Sequence, residues 1–97
     1  MTDISLSDSL TIGAQVLFRQ LDDEAVLLDL KSGTYFGLND VGARAWQLIV
    51  EHGSLSRVRD AMVQEYAAES QVVERDLLDL AAQLVARRLV ELKSNAA

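Results

Sequence analysis

The side chains able to do acid–base or metal chemistry in this sequence are few and poorly grouped. There is one histidine, His52, beside Gly53, and there is no cysteine. A metal site would therefore need carboxylates alone, and no calcium-loop spacing is present. We interpret His52 as a solvated residue at the end of a helix. The sequence predicts neither a metal site nor a bound cofactor.

Motifs for nucleophilic catalysis and for phosphate binding are also missing. No serine elbow or Cys–His pair occurs, and Gly33-x-x-x-Gly37 lacks the Gly-Lys-Ser/Thr that completes a phosphate loop. The acidic run from Asp22 to Glu24 is typical of a turn beside a hairpin. The other acidic groups that we considered belong to the solvated faces of two helices: Glu65, Glu69, Glu74, Asp76 and Asp79. The sequence therefore predicts no catalytic residues and a protein that is not an enzyme.

Length and charge favour a small binding domain. The chain has 97 residues, of which 49% are hydrophobic, and this is enough for one domain with a core but leaves little room for an enclosed catalytic cavity. The net charge of −6 opposes binding to a phosphate backbone. The first residues lack the basic and apolar regions of a signal peptide, and no apolar run is long enough to cross a membrane. We expect a cytoplasmic protein without a membrane partner.

Three short strands are predicted ahead of all helices. Alternating apolar residues and turn signals indicate strands over about residues 15–21, 24–30 and 34–38. Asp22-Asp23 and Lys31-Ser32-Gly33 are the predicted turns, since Gly33 tolerates a positive φ. In the second strand, Val26, Leu28 and Leu30 are predicted to form the apolar stripe. Residues 1–11 are expected to be a flexible tail.

Three helices are predicted after the strands. Asn39 is suited to cap a first helix that starts at Asp40 and stops near Gly53. Ser54 is a candidate cap for the second helix, and Ser70 for a third over about residues 71–88. Residues 89–92 either continue that helix or form a short extended end, and residues 93–97 are expected to fray. This order predicts an α+β fold, a winged helix-turn-helix outline with a three-stranded antiparallel sheet followed by three helices.

The third predicted helix carries two apolar stripes. At about 100° per residue, one consists of Val73, Leu77, Leu80 and Leu84, and the other of Leu78, Ala82, Val85 and Leu89. One stripe is needed to pack on the other helices. The second is free to cover the sheet or to contact a partner.

An ordered set of residues resembles the signature of the PqqD family, the precursor peptide recognition elements of ribosomally made, modified peptides. The set consists of residues 26–30, Lys31-Ser32-Gly33, Tyr35-Phe36, Leu38-Asn39, Gly42 and Trp46. The rest of the chain agrees, with Asp76 and a final Arg-Leu-Val in the expected places. The resemblance covers about residues 16–92.

The resemblance implies a stand-alone, non-catalytic chaperone that binds the leader segment of a precursor peptide and presents it to modifying enzymes. In such proteins the leader adds as a strand beside the third strand and the third helix. The partner enzyme is then a radical SAM enzyme of pyrroloquinoline quinone biosynthesis, or the peptidase and cyclase of lasso peptide maturation.

The residues themselves are compatible with this hypothesis, because a short strand at a sheet margin offers unpaired N–H and C=O groups. For the main-chain contact we predict Thr34, Tyr35, Phe36, Gly37 and Leu38. For the pocket wall we predict Leu78, Ala81, Ala82 and Val85. Phe36 is expected to face the helices and Tyr35 the partner, while Trp46 is expected to anchor the core. Tyr35, Phe36 and Leu38 have an alternative role as core residues, and the alternative for Leu78 and Val85 is packing on the first strand or on the tail.

The alternative function is a winged-helix regulator that binds nucleic acid. It requires a basic recognition helix, whereas residues 71–85 carry Glu74, Asp76 and Asp79 against Arg75 alone. We therefore expect a peptide partner and no nucleic acid. A third possibility is a subunit that docks onto an enzyme without contacting a leader. The sequence leaves open a monomer or a weak or exchanged homodimer.

Overall fold

A computed structural model describes residues 4–22 and 24–93 of the chain. The elements in order are β1 (Ser9–Ile12), β2 (Val16–Leu21), β3 (Glu24–Asp29), β4 (Tyr35–Leu38), α1 (Asp40–His52), α2 (Leu55–Tyr66), α3 (Ser70–Ala86) and β5 (Val90–Lys93). Strands β2, β3 and β4 form one antiparallel sheet in that order, and β1 pairs with β5 in a second. The predicted α+β fold, with a three-stranded antiparallel sheet followed by three helices, is confirmed. The two-stranded sheet is an addition to it.

The β3–β4 turn and the start of α1 are fixed by local side-chain contacts. Gly33 has φ 75°, as predicted for the turn residue. The Asp29 carboxylate accepts the Lys31 N–H at 3.1 Å and the Ser32 hydroxyl at 2.8 Å. Asn39 caps α1, because its side-chain oxygen accepts the Gly42 N–H at 2.8 Å. The chain therefore passes from β4 into α1 with one residue between them.

The face of β3 that meets the helices differs from the predicted one. Ala25 and Leu27 are fully buried, whereas Leu30 is 55% exposed and Val26 and Leu28 are only half-buried. The prediction that Val26, Leu28 and Leu30 form the core stripe is therefore wrong. Alternation defines two faces of a strand but does not say which one is covered. Here the face that carries Ala25 and Leu27 packs inward, and the more hydrophobic face with Val26, Leu28 and Leu30 points outward.

The core lies between the inner face of this sheet and the three helices. Trp46 is 3% exposed, which confirms that it is a core residue. The largest side chains that are entirely buried are Leu27, Leu48, Ile49, Leu55, Leu84, Leu89 and Val58. They come from β3, from all three helices and from the residue just before β5, so a single core ties the sheet to the helices.

The amino-terminal segment is part of the fold instead of a flexible tail. Ser9 to Ile12 pair with Lys93 to Val90, and Leu10 is 4% exposed. Asp8 is also buried, with its carboxylate accepting the Ser5 N–H at 3.0 Å. The expectation of a tail is wrong for residues 9–11. Their strand is only four residues long and pairs with the far end of the chain, so the neighbouring residues carry no sequence pattern that predicts it. Residues 1–3 lie outside the described residues.

The carboxyl-terminal region follows the extended one of the two predicted alternatives. Helix α3 ends at Ala86 instead of Arg88, and Arg88 has φ 60°, which turns the chain into β5. The helix also begins one residue early, so that Glu69 holds the cap position predicted for Ser70. Lys93 pairs with Ser9 and is not frayed. Residues 94–97 and Asp23 of the predicted turn lie outside the described residues.

Helices α1 and α2 are joined at the surface by a bidentate ion pair. Arg44 donates from Nε and from a terminal nitrogen to the two carboxylate oxygens of Glu65, both at 2.8 Å. The hydrogen bond from Arg44 lowers the pKa of Glu65, and its charge acts in the same direction. Geometry of this kind is the strongest form of carboxylate recognition by arginine.

Titration of Glu65 tests this contact. Its carboxyl group is expected to titrate below the usual glutamate pKa of about 4.3, and Arg44→Gln is expected to return the pKa towards that value. Because the folded pKa is the lower one, the contact stabilises the fold above the unfolded pKa and is lost as the pH falls through the folded pKa. Carbon-detected NMR of the side chain measures both variants. An identical pKa in the two proteins would contradict the ion pair.

In the part of the chain that the structure describes, no helix is long and apolar enough to cross a membrane.

Candidate functional site

Strand β4 is an edge strand. It pairs with β3 on one side, and no described segment of the chain pairs with it on the other. The second sheet, β1–β5, is separate from it. An edge of this kind presents a row of unpaired N–H and C=O groups, which is the template for adding a further strand.

The backbone groups that β4 offers belong to two residues. The Asp29 N–H donates to the Thr34 carbonyl at 2.9 Å, so residues 29 and 34 form a hydrogen-bonded pair. Antiparallel pairs alternate between hydrogen-bonded and non-bonded ones, and the register pairs Leu27 with Phe36. Phe36 and Leu38 therefore bond to β3. Tyr35 and Gly37 direct their N–H and C=O groups away from the sheet.

A cavity of about 300 Å³ opens where β4 leads into α1. It is lined by Asn39, Val41, Gly42 and Ala45 near the start of α1, by Met62 of α2, and by Asp76, Leu77, Asp79, Leu80 and Gln83 of α3. Its volume is at the small end of ligand pockets. It has room for a side chain or two of a peptide, between an apolar floor and a polar rim formed by α3.

The same face of α3 reaches β4 at Arg87. Asp76, Leu80, Gln83 and Arg87 recur at helical spacing, and the Arg87 guanidinium lies over the Phe36 ring at 5.0 Å from its centre. This distance is typical of a cation–π contact. We call the space between the open edge of β4 and this face of α3 the β4–α3 cleft. It runs from the cavity at Asn39 to Arg87.

The model of the family described as "Coenzyme PQQ synthesis protein D (PqqD)" matches residues 24–90, well over half of the chain. The chain belongs to the PqqD family. The match begins with β3, includes β4 and all of α3, and thus takes in both sides of the β4–α3 cleft. No curated protein sequence matches this PqqD-family chain.

Two solved structures resemble this PqqD-family chain. One is "TbiB1 in Complex with the TbiA(beta) Leader Peptide", with 40% identity, a TM-score of 0.77, and coverage of 90% of this chain and 98% of that one. The other is "Lasso peptide synthetase B1 complexed with the leader peptide", with 29% identity, a TM-score of 0.76, and coverage of 86% and 98%. Both are therefore similar to this PqqD-family chain over nearly its whole fold.

The strand residues predicted for the site lie together on β4 and just before it. Tyr35 is 71% exposed, while Phe36 is half-buried and packs against the core. The predicted orientation of these two aromatic side chains is thus what the structure has. Leu38 is 5% exposed, so only its backbone is near the edge. Thr34 closes the hairpin through its carbonyl bond to Asp29.

The helix residues predicted for the site lie elsewhere. Ala81 is fully buried, so the prediction that it lines a surface wall is wrong. Leu78, Ala82 and Val85 are not among the cavity residues, and they lie roughly 130–170° around α3 from the face that borders the cleft, at about 100° per residue. Leu78 and Val85 instead pack at the margin of the core.

The cleft residues of α3 that the sequence argument missed are mostly polar. Asp76, Asp79 and Gln83 line the cavity with Leu80, whereas the prediction looked for an apolar stripe and so selected the opposite side of the helix. The periodicity of residues 76, 80, 83 and 87 was available in the sequence. Nothing in it said that a face with one leucine would border the open strand.

The cleft is charged differently at its two ends. Asp76 and Asp79 lie at the cavity, and Arg87 lies at the other end over Phe36. Within the described ranges, Asp76 has one ion pair, a 3.8 Å contact with its exposed neighbour Arg75, and Asp79 has none. In the same ranges no group of three metal-ligating side chains occurs. The cleft thus combines an open strand edge, a small cavity and side chains of opposite charge at its two ends.

Proposed function

We propose that this chain binds the leader segment of a ribosomally made precursor peptide, which adds as a strand to β4 within the β4–α3 cleft. The observation that carries the proposal is an edge strand with two outward backbone pairs lying directly beside a side-chain-sized cavity. Main-chain bonds to Tyr35 and Gly37 supply affinity, and the cavity supplies sequence preference. The β4–α3 cleft of this PqqD-family chain is therefore the proposed binding site.

The two similar structures support this proposal. Each was solved with a leader peptide, and the one at 40% identity covers nearly the whole chain. Because one of them is a lasso peptide synthetase B1, we propose a lasso precursor as the source of the leader, ahead of the precursor of pyrroloquinoline quinone. The chain then works in the cytoplasm, where ribosomes make the precursor.

Presentation to an enzyme is the second part of the proposal. The bound leader hands its precursor to a leader peptidase and a cyclase, or to a radical SAM enzyme in the quinone pathway. The chain itself supplies no catalytic group and no cofactor. Cleavage of the precursor by its peptidase is therefore expected to accelerate when the chain is added, and Tyr35→Asp is expected to remove the acceleration.

Isothermal titration calorimetry with the leader encoded beside the gene tests the proposal. Binding is expected in the sub-micromolar to micromolar range with a stoichiometry of one, and it is expected to weaken in Tyr35→Asp while the melting temperature is kept. No heat of binding from the leader at concentrations well above this range would contradict the proposed function.

Leu80 and Leu78 form a matched pair that tests which face of α3 contacts the peptide. Both are half-buried leucines of the same helix, but only Leu80 lines the cavity. Leu80→Ala is expected to weaken leader binding about fivefold, equal to about 1 kcal/mol of lost apolar contact. Leu78→Ala is expected to leave the affinity within twofold. Calorimetry of both variants decides, and a larger loss in Leu78→Ala would place the peptide on the other side of α3.

Nucleic acid is the less favoured ligand. The face of α3 that borders the cleft carries two aspartates, and the net charge is −6. Affinity for a phosphate backbone comes from lysine and arginine that release counterions. Binding of duplex DNA at low salt, with a steep loss as salt is added, would restore the winged-helix regulator.

A further inference from the structure

We propose that the β4–α3 cleft selects peptides by the order of their charges, with a cationic residue at the cavity end and an anionic residue at the Arg87 end. This inference rests on the proposed function and adds the chemistry of the peptide that the site accepts. It concerns the acidic side chains of Asp76 and Asp79 and the basic side chain of Arg87, on the wall opposite β4.

The cavity end favours a lysine or arginine of the peptide. Its floor is apolar, with Ala45, Met62 and Leu77 buried in the lining, and its rim carries Asp76 and Asp79. A long basic side chain buries its methylene stem on apolar surface while its charged head reaches an acidic group. Neither aspartate is neutralised by a close, shielded partner, since the Arg75 contact of Asp76 is long and more than 70% exposed at both side chains.

The opposite end favours an acidic residue. The Arg87 guanidinium lies over the Phe36 ring, which places a positive charge where β4 begins. A cation–π contact occupies the face of the guanidinium and leaves its N–H groups at the edge free to donate. A carboxylate of an added strand is the natural acceptor for them.

The spacing of the two ends gives the separation of the charges in the peptide. Asp76 and Arg87 are about three helical turns apart, roughly 16 Å along α3. An extended strand rises about 3.3 Å per residue, so the cationic and anionic residues are about five positions apart. In a strand that runs antiparallel to β4, the cationic residue comes first, because the end of β4 lies at the cavity.

Selection from a displayed library of random peptides tests this inference without a known ligand. The wild-type chain is expected to enrich peptides in which lysine or arginine precedes aspartate or glutamate by about five positions. The variant Asp76→Lys/Asp79→Lys is expected to lose the preference for the basic residue. The control variant Glu51→Lys/Glu91→Lys changes two exposed acidic residues outside the cleft and has the same net charge as Asp76→Lys/Asp79→Lys. It is expected to keep the preference for the basic residue.

Affinities of one enriched peptide then measure the effect. At low salt, Asp76→Lys/Asp79→Lys is expected to bind it five- to tenfold more weakly than the net-charge control. The difference is expected to shrink in high salt, because these charges are exposed and screened. Enrichment of the same peptides, with the same affinities, by all three proteins would overturn the charge-order inference while leaving the proposed function intact. Failure of the wild-type chain to enrich any peptide would overturn both.

Discussion

Gly37→Pro is expected to weaken leader binding at least tenfold, whereas Gly37→Ala is expected to bind within twofold of the wild-type chain. The register directs the Gly37 N–H away from β3, towards the open edge. Proline removes that N–H and places its ring where the added strand would approach. The lost hydrogen bond and the obstruction together account for the tenfold effect, equal to about 1.4 kcal/mol.

Gly37→Ala also replaces the glycine, but it keeps the backbone N–H. The comparison with Gly37→Pro therefore reports on the loss of that donor. A Cβ built on Gly37 meets no other atom within 4 Å, so alanine fits without displacing its neighbours. Proline is tolerated at edge positions whose N–H faces solvent, so the fold is expected to survive, which a thermal melt verifies. Calorimetry with the leader measures the affinities. Equal affinity of the proline and alanine variants would show that the peptide does not use this donor.

Leu27→Ala is expected to lower the free energy of unfolding by 2–5 kcal/mol, whereas the adjacent Leu28→Ala is expected to lower it by less than about 1.5 kcal/mol. Leu27 is fully buried at the centre of β3 and lies opposite Phe36, while Leu28 is half-buried on the outer face. Removing a buried leucine loses its transfer free energy and leaves a cavity. The total stability of a domain of this size is about 5–15 kcal/mol, so the loss at Leu27 is a large fraction of it.

Denaturant unfolding measures both leucine variants. The comparison is matched in residue type, strand and chemistry, and it differs only in the face of the sheet. A larger loss in Leu28→Ala would mean that β3 turns its other face to the helices. Every assignment of inner and outer residues on β4 would then reverse, since a shift by one residue exchanges the two faces.

Local sequence signals predicted most of the fold around the site. Gly33, Asn39 and Gly53 act at turns and helix ends through their own backbone or side chain, so their roles are visible within a few residues. The three strands of the main sheet and the three helices were placed by periodicity. The resemblance to the PqqD family was carried by residues 26–46 and was confirmed by the family match.

Local sequence signals could not predict the pairing of distant strands, nor which face of a strand or helix points inward. The β1 strand is defined by its partner at the other end of the chain, so Leu10 is buried for a reason that its neighbours do not encode. The inner face of β3 was mistaken because Val26, Leu28 and Leu30 are more apolar than Ala25. On α3, the residues that line the cavity could not be singled out, because Asp76, Asp79 and Gln83 do not form a hydrophobic stripe.

Amide hydrogen exchange, followed by NMR with and without a saturating leader peptide, tests strand addition to β4 most directly. The Phe36 and Leu38 amides already bond to β3, whereas the Tyr35 and Gly37 amides face the open edge. Exchange at Tyr35 and Gly37 is expected to slow at least tenfold on binding, with smaller changes at Phe36 and Leu38. Unchanged exchange at Tyr35 and Gly37 in the saturated complex would contradict the account.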